Sequence, residues 1–227
     1  MHNVEIEASD SIELLADFGN ISPRRTQSEN QRFRRASLLV AAIISVAKHD
    51  ISGATVDRIC AQAGASRGLL GHYFDSKEDL LLSALSYWFQ QALAIKQGIA
   101  RHPDWSAREK LRKISHASFE PPLYDWHIAA AWQAFTNASR YNTAYAEPIR
   151  TAGRDTQALV APLFDEVAKD LGTRVDAKSA ATGLYILDDG LWNSLATGKD
   201  GLTPEMACNH CDAYINGCLS NAIGSDA

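Results

Sequence analysis

Arg67, Gly68 and His72 carry the chemistry of a surface that reads nucleic-acid bases. Arg67 offers a forked donor, Gly68 no side chain at all, and His72 a small donor and acceptor. They fall in Thr55 to Leu80, TVDRICAQAGASRGLLGHYFDSKEDL, which reads as a short helix, a turn at Gly64, a second short helix and a new helix start. Thr55 is a good N-cap, and Val56, Ile59, Cys60 and Ala63 recur at helical spacing. Ser66 caps the next helix. There Leu69, Leu70, Tyr73 and Phe74 can turn inward, leaving Arg67, Gly68, Gly71 and His72 outside. A small, hydrogen-bonding outer face suits a helix lying in a major groove.

The surrounding elements read as helices throughout. A helix from near Glu29 to Lys48 places Phe33, Leu38, Leu39, Ala42, Ile43 and Val46 on one side, with Arg32, Arg34 and Arg35 at its start. Another begins at the Ser76 cap and runs through Leu85, Trp88, Phe89 and Leu93 towards Ile99. Further patterns cover roughly Ser106–Phe119, Trp126–Ser139, Glu147–Leu171, Ala177–Thr197 and Pro204–Ala222. The expected organisation is an acidic, weakly ordered leader over 1–28, a three-helix DNA-binding unit over 29–76, and a larger helical body over 77–227. Within the leader, Ser11 to Phe18 could form a helical turn, with a hinge at Pro23 to Arg25.

The run Ala65-Ser66-Arg67-Gly68, followed by His72-Tyr73-Phe74-Asp75-Ser76-Lys77-Glu78-Asp79-Leu80, resembles the DNA-binding signature of the TetR family of transcriptional regulators. One departure is Gly71, where the family usually has an aromatic. The resemblance implies an all-α protein with an N-terminal helix-turn-helix domain and a helical ligand-binding and dimerisation domain. It implies no enzyme activity and no cofactor. Its partners would be a double-stranded DNA operator, a small-molecule effector and a second copy joined through the last two helices. Thr55, Ser66, Tyr73 and Lys77 would hold phosphates, while Arg67, Gly68 and His72 face the bases. Arg34 and Arg35 would clamp the backbone, with Arg24 and Arg25 as a minor-groove arm or a solvated patch.

Leu187-Asp188-Asp189-Gly190-Leu191-Trp192, then Ala196-Thr197-Gly198-Lys199, resembles the C-terminal part of BetI-type regulators, the choline-responsive repressors within that family. Trp132-Gln133-Ala134-Phe135 resembles their Trp-x-x-Phe segment, with Thr136 in place of the next aromatic. A quaternary ammonium donates no hydrogen bonds, so its site needs aromatic faces and a nearby carboxylate. Trp126, Trp132, Phe135, Tyr145, Asp188, Asp189 and Trp192 are the candidates. Trp132 with Phe135, and Asp188 with Trp192, share helix faces. The other reading of the rings is ordinary core. Adjacent carboxylates inside the apolar stretch Ala180 to Leu195 demand solvent, a cap or a partner.

The net charge of −5 is uneven. Residues 1–20 hold five acids and no Lys or Arg, whereas 21–80 hold nine basic against six acidic residues. The basic block coincides with the motif, so an acidic body does not exclude DNA. No apolar run approaches the roughly 20 residues of a membrane span, and the N-terminus has the wrong charge for a signal peptide. These features suggest a cytoplasmic protein with no membrane partner. Cys208, Cys211 and Cys218 share a face of the last helix and read as packing, with no metal site; the alternatives are a repressor of the same family for a different small molecule and a thiol- or metal-sensing regulator that uses these cysteines. Phosphate-loop, His-Glu-x-x-His and nucleophile-elbow patterns are all missing.

Overall fold

Capping side chains set most of the helix starts. Thr55, Ser66, Ser76, Ser106, Asp125, Asn142 and Asp176 each accept a hydrogen bond from a backbone N–H of the first turn that follows. Each such cap contributes about 1 kcal/mol. The computed structural model describes residues 27–198 and 201–220, and among these it contains α-helices and no strand. In chain order they are α1 (Gln27–Gly53), α2 (Val56–Ala63), α3 (Arg67–Tyr73), α4 (Lys77–Ala100), α5 (Ala107–Ala117), α6 (Trp126–Ser139), α7 (Thr143–Asp170), α8 (Ala177–Thr197) and α9 (Pro204–Ser220). The suggested turn at Ser11 to Phe18, the hinge at Pro23 to Arg25, and Ala222 lie outside the described residues, while α1 starts inside the expected leader.

Two apolar clusters share their helices. Leu38, Leu39, Ile43 and Val46 of α1 pack with Ile59, Leu70, Phe74, Leu80 and Leu81 around the DNA-binding unit. Val40 and Ile44, on the same helix, join the larger cluster of Trp132, Phe164, Leu184, Trp192, Cys211 and Ile215. In α6, Trp132 belongs to the larger cluster and Phe135 to the smaller. α4 supplies Leu80, Leu81 and Leu85 to the first, then Trp88 and Phe89 against both. One rigid helix therefore runs through both cores.

α1 contains a stretch, Asn30–Gly53, that is long and apolar enough to cross a membrane by length and composition, with mean hydropathy 1.3. The sequence reading found no such stretch. Here the apolarity is used as core, since Leu38 to Val46 is buried without interruption. α1 breaks at Asp50, whose φ of 61° and ψ of 173° lie in a region that favours glycine. The Asp50 carboxylate accepts from the Ile51 N–H at 2.7 Å, which anchors the corner into α2.

α8 and α9 close the fold at a tight crossing. A Cβ on Gly183 would sit 2.0 Å from the Tyr214 hydroxyl, so only glycine admits that ring. Tyr214 then donates to the Ala180 carbonyl at 3.2 Å.

Candidate functional site

The first candidate surface is built on α2 and α3. Gly64, at φ 59°, ends α2 in the left-handed region, and its N–H satisfies the last carbonyls of that helix. Ser66 Oγ accepts from the Leu69 N–H at 3.1 Å and caps α3, which starts at the next residue, Arg67. Leu70 and Phe74 are buried and Leu69 and Tyr73 half-buried, while Arg67, Gly68, Gly71 and His72 are exposed. The expected inward and outward sets are therefore realised. Thr55, Ser66, Arg34 and Arg35 are also exposed, with the Arg35 guanidinium 5.2 Å from the centre of the Phe74 ring.

Two contacts on this surface were not legible in the chain. Arg67 forms a two-pronged ion pair with Asp57, through Nε and Nη2. The pair holds the Asp57 carboxyl below its usual range, chiefly through the hydrogen bond from Arg67. Ten residues and a turn separate the partners, which no helical spacing rule connects. Lys77 Nζ donates to the Ile51 carbonyl at 2.9 Å, tying the start of α4 to the α1–α2 corner.

The second candidate is a cavity of about 410 Å³ between α4, α6, α7 and α8. Trp88, Phe89, Trp132 and Trp192 form an aromatic wall, with ring centroids 5.4 Å apart for Trp88 and Trp192 and 5.6 Å for Phe89 and Trp132. Trp88 stands 6.4 Å from Trp132. Asp189 Oδ1 accepts from Trp132 Nε1 at 2.8 Å, and Trp192 Nε1 donates to the Ser118 carbonyl at 2.7 Å. Ser118 Oγ donates to Asp188 at 3.3 Å, and the Cys211 thiol to its other oxygen at 3.2 Å. The adjacent carboxylates thus have partners on the α5–α6 turn, α6 and α9.

Burial raises Asp188 to about 6, opposed by Lys96 and its two hydrogen bonds. Lys96 opens to the same cavity and is lowered by burial, with Asp188 pulling the other way. Tyr185 also lines the cavity and is raised to about 12, first by burial and then by Asp189. It lies against α7 where Gly153 leaves room, since a Cβ there would come within 3.0 Å of its Cζ. Glu147, on the opposite wall, is held at about 2 by hydrogen bonds from Arg150, Arg154 and Thr151.

Of the residues expected at a ligand site, Trp132, Asp188, Asp189 and Trp192 line this cavity. Trp126 is 52% exposed at the start of α6 and stands apart from it. Phe135 and Tyr145 are buried against each other in the smaller core, with ring centroids 5.5 Å apart. Sequence reasoning did not assign Trp88, Phe89, Lys96 or Tyr185 to the site. Lys96 carried a usable signal, being the lone basic residue between Lys77 and Arg101 on a largely apolar helix.

The cysteines separate. Cys211 faces Asp188, whereas the Cys208 sulfur lies with donor atoms of His116 and Glu120, all within 4.8 Å of one another. His116 Nε2 is also 2.9 Å from Asp212. Burial raises both thiols, Cys208 to about 11. That disfavours the thiolate that redox reactivity needs.

The chain matches two family models. Residues 38–84 match the tetR family of bacterial regulatory proteins, and residues 107–220 the C-terminal domain of BetI-type transcriptional repressors. It is 29% identical over 191 residues to the HTH-type transcriptional regulator BetI of Paraburkholderia phymatum, covering 83% of this chain and 94% of that one. A putative transcriptional regulator from Pseudomonas aeruginosa PAO1 superposes with a TM-score of 0.72 at 29% identity, over 90% of this chain and 95% of that chain. A putative regulator from Saccharomonospora viridis, solved in complex with choline, has the same fold, with a TM-score of 0.71 at 24% identity over 84% and 97% of the two chains.

Proposed function

Because this chain belongs to the TetR family of bacterial regulatory proteins, with a C-terminal domain of the BetI type, we propose that it is a homodimeric repressor released from a palindromic operator by a small molecule. The observation that carries the reading is α4. Its first residue, Lys77, is bonded to the corner of the DNA-binding unit, and its Trp88, Phe89 and Lys96 line the cavity. A ligand that favours one position of this helix also favours one position of α3. Release requires only a differential affinity of a few kcal/mol between the two states.

Gly68 and Gly71 support the DNA surface from another direction. Each costs α3 about 1 kcal/mol relative to alanine. A Cβ at Gly71 would meet nothing within 4 Å, and one at Gly68 only Ser66 Oγ at 3.8 Å. Packing within the free chain does not require these glycines. An outer face that must approach a groove closely supplies the reason. In this reading Arg67, Gly68 and His72 face bases, and Thr55, Ser66, Tyr73, Lys77, Arg34 and Arg35 serve the backbone. Dimerisation is assigned to α8 and α9, where Ile186 and Met206 are exposed.

The effector assigned to the cavity is choline or a related quaternary ammonium compound. Trp88, Trp132 and Trp192 supply faces to N-methyl groups, each worth about 0.5–2 kcal/mol, and Asp188 and Asp189 supply negative charge. The test is fluorescence anisotropy of purified protein on DNA from upstream of its own gene, with and without millimolar choline. Loss of specific binding on adding choline is the expected result. Tight binding that choline leaves unchanged would remove the effector, and absence of specific binding would remove the operator.

A further inference from the structure

Lys96 is a feature that a site for a simple cation does not need. Its ammonium opens to the cavity, and among the described residues it makes no hydrogen bond and no ion pair, feeling Asp188 and Cys211 only through space. Asp188 lies beyond ion-pair distance and already accepts from Ser118 and Cys211. Asp189 is occupied by Trp132, and Glu147 by Arg150 and Arg154. Asp155, the remaining carboxylate on the cavity wall, is exposed and makes no ion pair with Lys96, so cavity solvent is left to satisfy this ammonium. A ligand that fills the cavity strips that solvent, and a desolvated ammonium without an acceptor is costly.

Space points the same way. The cavity of about 410 Å³ corresponds to about fourteen waters at ~30 Å³ each, more than choline's handful of non-hydrogen atoms displaces. Along α4, Lys96 follows Trp88 by roughly 12 Å of helix rise.

We propose that the effector is a zwitterion: its methylated ammonium rests on Trp88, Trp132 and Trp192, and its carboxylate bonds to Lys96, with the two charges several bonds apart. This inference rests on the aromatic-cage reading of the same cavity and adds the second charge. Asp189, bonded to the Trp132 indole, faces the cationic end and Lys96 the anionic end, so the site discriminates by polarity along its length.

The experiment is calorimetric titration of the full chain with choline, with trimethylglycine and with γ-trimethylammonio-butyrate, for the natural protein and for Lys96→Met and Lys96→Arg. Methionine keeps the stem and removes the charge, while arginine keeps the charge. In the natural protein γ-trimethylammonio-butyrate should bind about tenfold or more tighter than choline, as a charge-assisted hydrogen bond implies. Trimethylglycine, with its charges closer together, should fall between them. Lys96→Met should abolish the preference, lowering the affinity for γ-trimethylammonio-butyrate about tenfold relative to choline, and Lys96→Arg should retain part of it. Choline binding as tightly as the zwitterions in the natural protein, or equal losses for all three ligands in Lys96→Met, would overturn the second charge and leave the cage intact. Failure of every quaternary ammonium to bind the natural protein would overturn the cage, and this inference with it.

Discussion

Replacing Trp192 by Phe tests the cavity wall and the turn behind it together. Trp192 is 6% exposed, and its Nε1 donates at 2.7 Å to the carbonyl of Ser118, itself 4% exposed. Phenylalanine keeps an aromatic face but leaves that carbonyl without its donor, at a cost of about 1–3 kcal/mol. The smaller ring forfeits about 1 kcal/mol of apolar burial. The sum, about 2–4 kcal/mol, corresponds to a fall in Tm of roughly 5–15 °C for a chain of this size. Thermal unfolding followed by circular dichroism at fixed protein concentration measures it. Ser118 also donates to Asp188 through Oγ, so the carboxylate's setting should loosen with the turn. Weakening of a quaternary ammonium ligand by between about twofold and thirtyfold follows from a poorer ring face. A fall in Tm below about 2 °C would refute the reasoning, because it would mean that the Ser118 carbonyl finds another donor at no cost.

Asp188 gives stability a pH dependence. Its folded value of about 6 lies above its ordinary 3.8, so the stabilisation it contributes is complete below 3.8 and is lost as pH rises through 6. The full loss is about 3 kcal/mol, of which about 1.5 falls between pH 5 and 7.5. Thermal scans of the natural protein and Asp188→Asn should therefore diverge in favour of the variant as pH rises across that window; parallel curves would contradict the shift. On the DNA side, Arg67→Ala should relax sequence preference. Lys77→Gln, which removes the charge and keeps an N–H donor, should weaken binding to all sequences and flatten the salt slope by about one. Equal effects of the two changes on specific and random DNA, measured by anisotropy across a salt series, would cancel the division between base and phosphate contacts.

How far the chain could be read depended on whether the deciding interaction was local. Thr55, Gly64, Ser66 and Ser76 act within one helical turn of themselves, so α2, α3 and the start of α4 emerge where the sequence places them. Trp126–Ser139 and Ala177–Thr197 likewise match their expected bounds, each between a carboxylate cap and a turn. α7 begins at Thr143, four residues before the expected Glu147, because the Asn142 side chain caps it there. Pro148 is the sixth residue of the helix, so it forgoes one intrahelical bond, to the Ala144 carbonyl, and the helix continues through it. Trp132 and Phe135 share one side of α6 by spacing, yet the roughly 60° between them suffices to send one to the cavity and the other to the smaller core. Periodicity names the rings that turn inward. Which of two cores receives them is a tertiary matter, and so is the placing of Trp88 and Phe89 opposite Trp132 and Trp192.

The same distinction explains why α4 is the element on which regulation should turn. Its DNA end is held by a lysine–carbonyl bond and by Leu80 and Leu81, both fully buried, so it cannot slide independently of the corner at Ile51. Its cavity end is held less firmly. Among the described residues, Trp88 and Phe89 are half-buried, the Trp88 indole N–H is buried without an acceptor, and Lys96 opens to the cavity without an ion pair. A buried donor without a partner costs about 1–3 kcal/mol. That cost, with Lys96, leaves the cavity end of α4 short of the bonds that a better-fitting position would supply. On the proposed function, a ligand that fills the cavity and engages Lys96 would change the balance there, and α4 would carry the displacement through both cores to α3.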